Sequence, residues 1–412
     1  MSGDGGKNLY RLYQTRPEYA KISLMSVVHN PSPLIPMSDY AIQSLSIHHY
    51  KSIRRLQRLQ LEPLNVLIGA NGAGKSNFVS FFTFIADVVN QRLQAHIDER
   101  GGAKRIISTD CRPEECFSAI VTFHAGALIF IAGVTEDDRL QLLHEQFVPP
   151  GIDSDDEFSR MIAGFRRRKG EQESKLRNFT VRNDKLTMEE ELALTAISLW
   201  RVYHFHDASP AAPVKHYGLL SDNKILGRNA ANLAAVLYRL RHETPEHYEF
   251  IRSTVELAVP YFEDFVLVPR ELPGSDEPQI SLRWQQRDIS TTYGPQQFSD
   301  GTLRFICLAT ALLQPNPPAT MVFDEPELGL HPSAIELLAS MLFAVSQDTQ
   351  ILVSTQSPTL LSRFSPENVL IVEQVEGNSK FRRIDRDEIS NWLDEYSLGQ
   401  LWEKNILGGR PR

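Results

Sequence analysis

The segment richest in chemistry is Gly69-Ala70-Asn71-Gly72-Ala73-Gly74-Lys75-Ser76, with Asn77 following. Its spacing, G-x-x-x-x-G-K-S, is what a triphosphate needs. Glycines let successive backbone N–H groups curl around the β- and γ-phosphates, and the helix that follows turns the positive end of its dipole toward them. Lys75 then reaches the phosphates and Ser76 ligates Mg²⁺. Gly69, Asn71, Gly72, Gly74 and Asn77 complete the expected nucleotide-binding set. The plainer reading, a Gly-rich turn that caps a helix, loses ground because an apolar strand precedes the motif and a long helical pattern follows it.

A second cluster ends the apolar run Met321-Val322-Phe323 in Asp324-Glu325-Pro326. Asp324 is placed to hold Mg²⁺ through its water shell, as a Walker B acid does, and Glu325 to orient or deprotonate a water attacking the γ-phosphate. Alone, these carboxylates would be a strand meeting a solvated turn; beside the first motif they point to hydrolysis. A third segment, Phe298-Ser299-Asp300-Gly301-Thr302-Leu303-Arg304, opens a helix, where Ser299 and Gly301 form an N-cap and a second phosphate-sized anion site. An ordinary N-cap accounts for those residues equally well when they are taken by themselves.

Two weaker candidates remain. His204, His206 and Asp207 in Val202-Tyr-His-Phe-His-Asp207 alternate as strand residues do and could hold a metal, although a hydrogen-bonded edge of the core is the commoner use of such a pattern. The basic run Arg166–Lys169, with Lys175 and Arg177, is either a DNA phosphate patch or a solvated face beside the acidic Asp153–Glu157, and the solvated face is favoured.

These groups need elements to hold them. Strands are expected over Ile42–Ile47 and Leu59–Ile68, a helix from Phe78 through Leu93 to the stop at Gly101-Gly102, and a hairpin of Phe117–Phe123 with Ala127–Val134 turned by His124-Ala-Gly126. Helical spacing recurs over Met188–Trp200 and Asn232–Leu240. From Phe298 onward the pattern alternates: helix Thr302–Leu313, strand Met321–Phe323, helix Ala334–Val345, strand Ile351–Ser354. That alternation predicts parallel strands joined by crossover helices. No heptad pattern is sustained between Gln91 and Ile280, so no long coiled-coil arm is expected.

Composition sets the outer limits. The 412 residues are 42% hydrophobic and carry a formal charge of −8, which argues against bulk coating of nucleic acid by positive charge. The three cysteines, Cys111, Cys116 and Cys307, fit a reducing compartment better than a disulfide scaffold. No apolar run approaches the roughly 20 residues that span a bilayer, and no leader pattern opens the chain. A cytoplasmic protein without a membrane segment is the expectation.

Taken together and in this order, the motifs resemble those of ATP-binding-cassette (ABC-type) ATPases of the RecF/SMC-like branch, in particular bacterial ATPases built from a head domain alone and related to the ATPase part of overcoming-lysogenization nucleases. The resemblance runs from Ile42 to Pro411. It rests on Tyr50-Lys51-Ser52-Ile53, the Gly69–Ser76 loop, Phe298–Arg304 as the signature, Asp324–Pro332 as Walker B and D-loop, Val353–Pro358 as the switch, and the closing Tyr396–Trp402 and Gly408–Pro411. It implies an α/β fold, a P-loop NTPase of ABC-ATPase head type with an N-terminal antiparallel β subdomain and a helical, signature-bearing lobe. The implied organisation is a peripheral extension over 1–40, a head over 41–360 with an exposed insertion at about 150–190 and the helical lobe at about 190–300, and a C-terminal extension of the head over 361–412.

The resemblance also implies a homodimer in which ATP lies between the P-loop of one head and Ser299 and Gly301 of the other, with Leu330-His331 on the seam. Glu325, Gln356 and Lys75 would be catalytic, and Ser76 and Asp324 would hold the metal. Two departures stand out. The switch position usually held by histidine is Gln356, which donates a hydrogen bond but carries no proton, so slow turnover is expected. The Q-loop glutamine has only one candidate, Gln146. Too few residues follow Gln356 for a TOPRIM nuclease, so an effector, if one exists, is expected as a separate protein. The expected work is DNA repair or antiphage defence, with DNA itself an open partner. A nucleotide-gated clamp without hydrolysis is the alternative, and the cassette of a membrane transporter is the weakest reading.

Overall fold

Strands buried on both faces must be apolar at nearly every position, and their alternating side chains then assign each residue to one of two cores. A computed structural model describes residues 40–108, 116–152, 154, 170–176 and 186–409. Residues 1–39 of the expected 1–40 extension, Cys111, most of the insertion with Arg166–Lys169 and Arg177, and Pro411 lie outside the described residues.

In chain order, β1 (Ile42–Tyr50) and β2 (Ile53–Gln60) form a hairpin that leads into β3 (Leu64–Ile68), α1 (Lys75–Val89) and α2 (Leu93–Arg100). There follow β4 (Phe117–Phe123), β5 (Gly126–Val134), β6 (Leu140–Val148), α3 (Met188–Ser198) and β7 (Trp200–Tyr203). The next stretch holds β8 (Gly218–Leu219), α4 (Leu233–Glu243), α5 (Pro245–Ala258), β9 (Phe262–Phe265), β10 (Gln279–Ile280), β11 (Trp284–Gln286) and β12 (Thr292–Tyr293). The chain closes through α6 (Asp300–Leu313), β13 (Thr320–Asp324), α7 (Pro332–Val345), β14 (Gln350–Ser354), α8 (Pro358–Leu361), β15 (Val369–Val375), β16 (Asn378–Arg383), α9 (Arg386–Leu393) and α10 (Leu398–Glu403).

Two sheets dominate. One is antiparallel, in the order β2-β1-β4-β5-β6; the other runs β16-β15-β3-β14-β13-β7, with every pair parallel except β15 with β16. In the parallel sheet Val66, Phe323 and Val353 point into a core made with α4 to α7, while Leu67, Val322 and Leu352 point into a second core shared with α1 and the antiparallel sheet. α1 is therefore buried nearly all round, with Phe82 against Trp200 at 5.2 Å between ring centroids and Phe81 and Phe84 each 5.6 Å from Tyr50. This places the start of α1 immediately beyond the C-terminal end of β3.

Some expected elements need correction. The strand read as Leu59–Ile68 is two strands, because Pro63 supplies no ladder N–H and the Glu62 N–H turns aside to Asn65 Oδ1 at 2.9 Å. The helix expected to reach Gly101 breaks after Val89, where Gln91 has φ of 57°. Its second half is capped by Glu173, whose carboxylate accepts from the backbone N–H of Leu93 and Gln94 at 2.8 and 3.0 Å. A cap donated from eighty residues away leaves no local signal. The lobe read as helical also contains β7, which belongs to the parallel sheet, and the short sheets β8–β10 and β9–β11–β12. The hairpin of β4 and β5, the parallel β13–β14 pair and helices α6 and α7 match their sequence patterns. No helix among the described residues is long and apolar enough to cross a membrane.

Gln350, only 4% exposed, fastens the two sheets together: its side chain accepts from the Ile42 N–H at 3.0 Å and donates to the Ile42 carbonyl at 2.9 Å. Replacing Gln350 with Ala strands both groups of β1, and the expected loss is about 1–3 kcal/mol in urea unfolding. A Gln350→Ala protein as stable as wild type would show that the sheets are joined by apolar packing alone.

Candidate functional site

Three parallel strands end side by side, and the residues with chemistry sit just past those ends. From β3 the chain enters the Gly69–Ser76 loop, in which Gly72 and Gly74 take φ of 79° and 109°, conformations that a side chain disfavours. A Cβ on Gly69 would run into the Val372 carbonyl, and one on Gly74 into the Ser379 hydroxyl. Ser379 braces the loop from behind, donating to the Ala73 carbonyl at 2.7 Å and pairing with Ser52 at the same distance. Asn77, expected at the nucleotide, instead donates its amide to Ser52 Oγ at 2.7 Å. Asn71 and Ser76 are exposed.

Lys75 is buried, and its ammonium donates to the carbonyls of Gly69 and Ala70 at 2.7 and 3.0 Å. Burial lowers its pKa, opposed by the nearby carboxylates of Glu325, Asp324 and Glu327. Lys75 thus faces three acidic side chains, an excess of negative charge that a bound divalent cation would offset.

From β13 come those acids. Asp324 accepts from Ser354 Oγ at the end of β14. Glu325 has φ of 43°, a strained conformation for a residue with a side chain, held by its N–H bonding to the Ser354 carbonyl at 2.8 Å. Gln356 donates its side-chain amide to Glu325 Oε1, so the residue at the switch position touches the candidate base directly. Ser76 and Asp324 together offer a hydroxyl and a carboxylate, hard oxygen donors of the kind Mg²⁺ prefers.

Glu327 is a residue the sequence reading passed over. It is 8% exposed; Oε1 accepts from Thr355 Oγ1 and from the Gln356 N–H at 3.3 Å, while Oε2 has no hydrogen-bond partner among the described residues. Burial raises its pKa above the ordinary glutamate range. The D-E-P-E spelling was the available signal, since a second acid two residues beyond Glu325 folds back under the switch.

Ser299 caps α6, accepting from the Thr302 N–H at 3.1 Å, and is exposed. No described hydrogen bond joins it to the phosphate loop. A Cβ on Gly301 would strike the Gly329 carbonyl, so this glycine lets α6 lie against the Glu325–Leu330 turn. Arg304, 7% exposed, reaches back to the carbonyls of Phe205 and His206 at 2.8 and 3.1 Å. His331 caps α7, its Nδ1 accepting from the Ser333 N–H at 3.4 Å.

Two expectations are corrected. Gln146 sits within β6, the outer strand of the antiparallel sheet, paired opposite Ile129 and bonded to His144 at 3.2 Å. The strand beside Asp324 is β7, which delivers His204 and His206 instead. Asp207 does not join those histidines; its carboxylate accepts from the Ser209 N–H at 3.0 Å, and Asp324 takes the expected place of Asp207. Burial lowers the His204 pKa, with Asp324 opposing.

The protein has a fold of P-loop NTPase type, that of SMC head domains. Its architecture is similar to a crystal structure of the SmcHead bound to the C-winged helix domain of ScpA, with a TM-score of 0.54 and 13% identity over 85% of this chain and 99% of that one. It is also similar to an Smc head domain with an extended coiled coil bound to the C-terminal domain of ScpA, derived from Pyrococcus furiosus, with a TM-score of 0.51 and 13% identity over 86% of this chain and 98% of that one. No curated protein matches the sequence. Residues 64–362, well over half the chain, match the family described as "AAA domain, putative AbiEii toxin, Type IV TA system", and the protein belongs to that family.

The raised pKa of Glu327 has a sign that can be checked. The folded state holds this proton more tightly than the unfolded chain, so wild-type stability from this group falls as pH rises from the ordinary glutamate range through the folded pKa. Glu327→Gln does not titrate, and its stability relative to wild type is expected to climb in urea unfolding as pH rises above the ordinary glutamate range. A difference that stays flat would mean that Glu327 is ionised throughout.

Proposed function

We propose that the protein binds ATP with Mg²⁺ and hydrolyses it in a site completed by a second copy of the chain. The observation that carries this reading is the contact of Gln356 with Glu325, one strand-end away from Asp324 and from the loop that bears Lys75. The loop amides and Lys75 would bind the phosphates, the lysine exchanging its carbonyl contacts for them. Ser76 and Asp324 would hold Mg²⁺, which would supply neutralisation of the phosphate charge. Glu325 takes the proton of the attacking water, and Gln356 fixes the carboxylate that accepts it. Gly69, Gly72, Gly74 and Asn71 shape the cradle, with Asn77 acting from behind.

Ser299, Gly301 and His331 fit a role toward the partner's nucleotide. Ser299 and His331 are exposed helix caps, and Gly301 seats the signature helix against the turn that carries Glu325. A second helix N-terminus would close the γ-phosphate side and add donors there. The activity belongs in this reading to DNA repair or antiphage defence, and the ScpA-bound heads support a separate effector as partner.

Single-turnover phosphate release tests the chemistry. Glu325→Gln is expected to retain ATP and to slow release by roughly 100-fold or more, while accumulating a dimer whose mass is seen only with ATP. Equal rates in wild type and variant would leave a nucleotide-gated clamp, and a monomer at all ATP concentrations would remove the composite site.

A further inference from the structure

β7 lies parallel to β13, with Tyr203 opposite Phe323, so the residues after each strand emerge at the same end of the sheet. There the ligand atoms of His204, His206 and Asp324 all lie within 4.8 Å of one another, and the two imidazole rings are 6.3 Å apart at 37°. The backbone that carries the histidines is tied down at successive residues. His204 N–H donates to the Arg228 carbonyl at 2.9 Å, and the buried Arg304 holds the carbonyls of Phe205 and His206. A histidine pair on anchored backbone facing a carboxylate needs only side-chain rotation to close on one ion.

We propose that His204, His206 and Asp324 form a binding site for a divalent transition-metal ion, distinct in ligand chemistry from the all-oxygen Mg²⁺ set of Ser76 and Asp324. Two imidazole nitrogens and one carboxylate favour Mn²⁺, Co²⁺ or Zn²⁺ over Mg²⁺, which keeps oxygen ligands and water. Because Asp324 belongs to both sets, an ion bound by the histidines stands beside the hydrolytic carboxylates. The inference rests on the proposed function only through that shared residue; ion binding itself needs no nucleotide.

The test uses the full chain without a polyhistidine tag, stripped with EDTA and titrated with Co²⁺ in the absence of nucleotide. Wild type is expected to take one equivalent of Co²⁺ and to develop the visible absorption of a nitrogen-ligated ion. His204→Ala and His206→Ala are each expected to weaken that binding by at least roughly tenfold, whereas Asp207→Asn leaves it unchanged. Binding of a fluorescent ATP analogue by the same variants reports on folding and on the phosphate loop. A Co²⁺ spectrum absent from wild type, or unaltered in both histidine variants, overturns the site. A Co²⁺ spectrum that depends on the histidines in a protein that binds no nucleotide would sustain the metal site and contradict the ATPase reading.

Discussion

Everything at the candidate site depends on the parallel register of β3, β14 and β13. Val66 faces Val353 and Val353 faces Phe323, so the strands finish level and release the phosphate loop, Gln356 and Asp324-Glu325 at one edge. Shift one strand by a residue and its side chains exchange cores, so volumes fitted to one layer would have to pack in the other. Burial of Val66, Phe323 and Val353 on one side and Leu67, Val322 and Leu352 on the other therefore fixes the chemistry as a by-product of packing.

Much of this was legible in the sequence because the local signals are strong. The G-x-x-x-x-G-K-S spacing, the apolar run into Asp324-Glu325, and the helix–strand alternation after Phe298 each specify backbone and chemistry within a few residues. What escaped depended on contacts between distant segments. The Glu173 cap on α2, the Gln350 clasp on Ile42, and the Ser379 brace behind Gly74 join positions tens to hundreds of residues apart. Gln146 is of the same kind: it follows an apolar stretch, but β7, and not β6, borders β13.

The acids are arranged asymmetrically. Asp324 and Glu325 each receive a hydrogen bond at the open edge, whereas Glu327 lies beneath the switch with one oxygen lacking a partner among the described residues. Strain at Glu325 and burial at Glu327 are costs that stability alone does not explain, and such costs concentrate where a structure must hold groups ready for chemistry. Gln356 links the two acids, through its side chain to one and its backbone to the other.

Lys75 and Ser299 occupy separate parts of the same chain, and the central claim is that each completes a site with the other's counterpart in a second copy. Mixing decides it. A Lys75→Ala chain and a Ser299→Arg chain, each inactive alone, are combined and assayed for phosphate release. If two copies share each nucleotide, a mixed dimer contains one intact pair of halves and activity returns. A mixture as inactive as its parents, under conditions where the two chains are shown to associate, would contradict the claim.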